Sequence, residues 1–122
     1  FQMACLTVER YEKGTPVVTT FDFDDKLLTD GNLNIMRFDN YNEDWARFVI
    51  ENRNNRNNKN IHDYDIVIGP IANDKVGAQI RRFQFGDIDI HQLVRELKFH
   101  KGMTIQYFCA SERAISKLKR IL

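Results

Sequence analysis

The chain has 122 residues, of which 43% are hydrophobic and 29% charged, with a formal net charge of +1. That size favours one domain with a true core. The near-neutral balance removes any global electrostatic case for nucleic acid or a membrane surface, and no apolar run approaches the ~20 residues of a membrane span.

In chain order, Phe1, Ala4, Val8 and Tyr11 fall at helical spacing, so a helix is expected up to about Lys13. Gly14 suits its end and Pro16 bars continuation. The chain opens inside this pattern without an initiator Met or a signal-peptide pattern, which predicts a trimmed or processed product. From Pro16 to Asp24 the pattern alternates, with Val17, Thr19, Phe21 and Phe23 on one strand face. Asp30-Gly31 punctuates a turn, and Leu33 to Phe38 reads as a second short strand. Asn42 then caps a helix. Glu43 and Asp44 suit its positive end, and Trp45, Phe48 and Val49 make its apolar face.

The tract Asn52 to Asn60 holds no apolar residue and reads as a solvated loop or a fraying helix end. Tyr64 to Gly69 is the strongest strand. Its three consecutive β-branched residues imply burial on both faces, and Gly69-Pro70 is expected to end it. Asn73 or Asp74 then caps a helix with Val76, Ile80 and Phe83 inward, stopped by Gly86. Asp89 caps the next, with Ile90, Leu93, Val94 and Leu97 inward, and Gly102 breaks that run. Met103 to Ala110 reads as a strand and Ser111 to Leu122 as a helix, with Ser111 as cap and Glu112 in the first turn. No internal repeat or domain boundary is visible.

Few residues suggest chemistry. His62, His91 and His100 lack metal-ligand spacing and no Cys lies near them, so no metal site is expected. Cys5 and Cys109 lie far apart among apolar neighbours and read as buried thiols in a reducing compartment, which predicts a cytoplasmic protein. P-loop, G-x-S-x-G and G-x-G-x-x-G patterns are absent. The turn before Asp74 could in principle hold an anion, but Asp74 would repel a phosphate, and capping fits better. Arg53, Arg56 and Lys59 could touch RNA, but no aromatic residue is interleaved for base stacking, so nucleic acid is not expected. Gln106, a neutral polar residue on an otherwise apolar and aromatic strand, either faces outward or aims its amide into a cleft.

Three segments add to this. They are Leu33 to Asp39 with the helix bearing Asp44 and Trp45, Tyr64 to Asp74, and Ile105 to Ile115. In that order and spacing they resemble an uncharacterised bacterial domain-of-unknown-function family of the ADP-ribosyltransferase-like group, from about Gly14 to the C-terminus. The resemblance implies an α+β fold with split small sheets and flanking helices, and NAD held in the cleft between the sheets. It places Gln106 where such enzymes carry a late-strand Glu that bonds the nicotinamide-ribose 2′-hydroxyl. Gln106 is therefore the candidate catalytic and NAD-binding residue. An amide can still bond a hydroxyl, but it offers no charge to a developing cation and cannot act as a base.

The other two motifs of the family should lie before Phe1. The resemblance thus implies that residues 1–122 form the C-terminal part of one domain, inactive on its own. The implied partners are NAD and an unidentified acceptor. The alternative is a non-catalytic protein- or ligand-binding module on the same scaffold. An apolar edge left by a missing N-terminal part predicts a homodimer.

Overall fold

The structure, a computed structural model, describes residues 14–54, 62–99 and 102–121. The helix expected over Phe1 to Lys13, most of the Asn/Arg tract, and His100 lie outside the described residues. The elements in order are β1 (Thr20–Asp22), a 3-10 turn (Asp25–Leu28), β2 (Ile35–Arg37), α1 (Glu43–Asn54), β3 (Ile66–Pro70), α2 (Val76–Gln84), α3 (Ile90–Leu97), β4 (Ile105–Cys109), α4 (Glu112–Ile115) and β5 (Lys119–Ile121). This is an α+β arrangement with two small sheets. One has the order β2-β3-β4, and the other pairs β1 with β5. β2 runs parallel to β3, with α1 in the crossover, and β4 is antiparallel to β3.

β3 is central, and all five of its residues are buried. Its alternation sends side chains into two cores. Ile66 and Ile68 pack with Leu33 and Ala114, with Phe23, Leu27 and Leu28 of the 3-10 region alongside. Val67 joins Phe38, Trp45, Ala46, Val76, Ile80, Ile88, Leu93 and Leu97 on the helical side. Complete burial of a Leu or Ile side chain contributes about 2 kcal/mol, and Leu93 and Leu97 sit at 0% exposure.

Local chemistry sets the helix starts. The Asn42 side chain accepts from the Trp45 N–H at 2.8 Å, and Asp89 accepts from the Gln92 N–H at 2.7 Å. Both caps match the sequence expectation. The α2 cap does not. Lys75 occupies that position without a side-chain bond. Asn73 instead accepts from the Lys75 N–H at 2.9 Å, and its amide donates to the Glu96 carbonyl, tying the start of α2 to the end of α3. Gly86, at φ +79°, ends the turn after α2 in a backbone region that side chains avoid.

Three further expectations need correction. The long helix over Ser111 to Leu122 stops at Ile115, and Lys119–Ile121 forms β5 instead. Pairing with β1, a strand about a hundred residues away, overrides a local apolar stripe that is compatible with either state. The first strand is shorter than expected. Val17 and Val18 lie outside it and are exposed. β3 runs through Pro70 rather than ending before it.

Pro70 is tolerated for a geometric reason. The Ala110 N–H donates to the Asp65 carbonyl at 2.8 Å, and the Ile71 N–H to the Thr104 carbonyl at 2.9 Å. By the alternation of an antiparallel ladder, Ile105, directly opposite Pro70, forms a pair without hydrogen bonds. Proline's missing N–H therefore costs the β3–β4 ladder nothing.

Candidate functional site

Gln106 is the second residue of β4, opposite Gly69 on β3. With no side chain at Gly69, the floor there is low and the Phe38 ring closes over it. A Cβ built on Gly69 would lie 3.2 Å from the Phe38 Cβ. The result is a cleft of about 530 Å³ between the sheet and α1, within the range of ligand pockets. Phe38, Trp45, Phe48 and Phe108 supply aromatic wall, and Gln106, Asn52 and Arg53 supply the polar side chains. Among the described residues, Arg53 is the one charged residue lining the cleft, and no carboxylate does.

Several bonds hold the walls. The Trp45 indole N–H donates to the Pro70 carbonyl at 3.1 Å. The Tyr41 ring stands edge-on to Trp45, with centroids 5.0 Å apart. The Tyr41 hydroxyl donates to the Ile71 carbonyl at 3.1 Å and accepts from the Phe99 N–H at 3.2 Å. Asn52 and Arg53 follow Phe48 and Val49 by four residues each, so α1 turns both onto the cleft side. The helical spacing carried that signal. Of the two expectations for this tract, the helix end holds as far as Asn54, where α1 stops.

A second arrangement fixes β4. Asp65, at 5% exposure, is the buried charged residue among the described residues. Its carboxylate accepts from the Asn34 N–H and the Ser111 hydroxyl, each at 2.7 Å, and from Arg113. The Ser111 oxygen in turn accepts from the Ala114 N–H at 3.1 Å, so the expected cap of α4 is present and doubles as a link to β3. The Arg113 guanidinium, followed by the Asn34 and Ser111 donors, holds the Asp65 carboxyl well below the usual carboxylate range. The same pairing raises Arg113. This latch joins the starts of β2 and β3 to the end of β4 and so sets the register that places Gln106 over Gly69. The sequence reading missed it. Glu112, by contrast, lies in the first turn of α4 as expected.

The remaining candidates resolve simply. His62 stacks on Tyr64 with centroids 5.2 Å apart, and its Nδ1 accepts from the Tyr64 N–H at 3.1 Å. His91 is exposed on α3. Among the described residues, no group of three or more His, Cys, Asp and Glu could hold a metal ion. Partial burial pushes the Cys109 thiol up. Among the described residues, no helix is long and apolar enough to cross a membrane.

Fold and cleft together define an α+β domain with a ligand-sized aromatic cleft beside an edge strand. The chain belongs to the protein family of unknown function DUF3990, whose family model matches residues 1–120. No curated protein and no solved structure matches it.

Proposed function

We propose that the cleft is the NAD site of an ADP-ribosyltransferase-like domain, in which the Gln106 amide bonds a ribose hydroxyl. The supporting observation is the position of Gln106 in an aromatic cleft whose single lining charge among the described residues is the positive Arg53. Flat aromatic walls suit the planar rings of a dinucleotide, carboxamides suit its hydroxyls, and a guanidinium suits its diphosphate. The resemblance of the Ile105 to Ile115 segment to that group supports the same reading. Calorimetric titration of NAD into the full-length protein is expected to give heat and a thermal shift. Gln106→Ala should weaken binding about fivefold to tenfold, as for one lost hydrogen bond of about 1 kcal/mol. A folded sample that shows neither heat nor shift rejects the reading.

A second reading, a non-catalytic ligand-binding module, is favoured by the lack of any carboxylate among the described residues that line the cleft. Labelled NAD added with a cell lysate separates the two. Transfer of label that is lost in Gln106→Ala supports the enzyme, and binding without transfer supports the module.

A further inference from the structure

β4 is exposed on both faces. Ile105 and Tyr107 are 39% and 57% exposed on one, and Phe108 is 58% exposed on the other, with Met103 and Ile115 exposed nearby. Its outer edge has no strand partner among the described residues. The ladder that accommodates Pro70 also fixes that edge. The bonds from Ala110 to Asp65 and from Ile71 to Thr104 point the even-numbered residues of this stretch at β3. The N–H and C=O groups of Ile105, Tyr107 and Cys109 therefore point outward.

We propose that a second copy of this chain occupies that edge, β4 pairing antiparallel with β4 to give a continuous six-stranded sheet about a two-fold axis. Only outward-pointing residues can face outward-pointing residues in such a ladder. The paired residue numbers must therefore sum to an even number, and the axis passes through a residue rather than between two. Full overlap of the five-residue strand puts the axis at Tyr107. Ile105 then faces the partner subunit's Cys109, Gln106 the partner's Phe108, and the two Tyr107 side chains face each other.

Every pair in this register is uncharged, and the strand carries none of the lysines, prolines or glycines that guard exposed edges. Three positions beyond the end of the strand, Glu112 meets the partner's Gly102, so no like charges are opposed. Self-complementarity of this kind is what an isologous interface requires, and it favours a second copy over an unrelated partner strand. The consequence reaches the cleft. The partner's Phe108 would stand beside Gln106 on the cleft face, so each site would be completed by the other subunit. This inference stands on the strand alone and is independent of the NAD reading.

Sedimentation velocity on the 122-residue chain across the micromolar range tests it. The chain is expected at twice its mass. Tyr107→Lys, which opposes two ammonium groups at the axis, should give a folded monomer. Phe85→Lys, at a position 79% exposed at the end of α2, should remain a dimer. Should Tyr107→Lys not fold, Gln106→Cys with Phe108→Cys, in a background with Cys5 and Cys109 replaced by Ser, provides a second test. Facing residues of that pair, about 4.5 Å apart at Cα, lie within disulfide reach. Mild oxidation should yield a reducible covalent dimer. A wild-type monomer throughout, a Tyr107→Lys variant as dimeric as the wild type, or no crosslink would each overturn the proposal, and the edge would fall to residues 1–13 or an extended segment of another protein.

Discussion

Replacing Asp65 by Asn removes one charge while keeping the side-chain shape. The carboxylate has three donors around it, from Asn34, Ser111 and Arg113. An amide has only one oxygen for them. If that oxygen keeps the Asn34 N–H, the new NH₂ faces the Ser111 hydroxyl, which already accepts from Ala114. The Arg113 side chain is 61% exposed and can turn to water, so its share is discounted. What remains is the conversion of two charge-assisted bonds at a buried site, which is expected to destabilise by about 2 kcal/mol at neutral pH. Urea denaturation of both proteins at pH 7 and near pH 3 measures it.

The sign with pH follows from the depressed pKa. Asp65 binds its proton less readily folded than unfolded, so its contribution is present above the unfolded value of about 3.9 and declines as pH falls below it. The gap between the two proteins should therefore narrow at the lower pH. A difference under about 0.5 kcal/mol at pH 7, the ordinary range for a surface change, would refute the latch. So would a gap of the same size at both pH values.

Two further substitutions probe the cleft. Gly69→Ala brings a methyl to 3.2 Å from the Phe38 Cβ, so we expect a loss of about 1–2 kcal/mol in urea denaturation as Phe38 is pushed aside. Unchanged stability would mean that the ring is not held there. Trp45→Phe removes the donor to the Pro70 carbonyl and part of a ring that is 3% exposed. A loss of about 2 kcal/mol by thermal or urea unfolding is expected from the bond and the vacated volume together.

Much of this architecture could be read from residue patterns because the deciding forces are local. Asn42 and Asp89 cap where short polar side chains before an apolar stripe should, and the Ile66 to Ile68 run is buried on both faces as β-branched runs in central strands are. The misreadings occur where distant residues decide. Leu118 and Ile121 fit a helix stripe, yet β1 recruits Lys119–Ile121 into a strand. Asp65 lies within the stretch read simply as a strand. Its donors lie 31, 46 and 48 residues away, so no spacing rule joins them. Gln106 was singled out by its contrast with its strand neighbours, and it does line the cleft. Asn52 and Arg53 belong to the last turn of α1, because the polar run leaves the choice between helix end and loop to the packing around it.

Thr20 lies opposite Ile121 and Asp22 opposite Lys119 in the small ribbon. Positions 20 and 121 thus meet at one corner, and a flexible bridge joining them would span only a few ångströms of space. Opening the chain elsewhere, at an exposed turn such as Asp30-Gly31, would leave every paired strand intact. The order of the segments along the polypeptide is therefore separable from their order in space. A two-stranded ribbon of fully exposed residues has little intrinsic strength, so this corner is also where hydrogen exchange should begin, well before the Asp65 latch or the cleft walls yield.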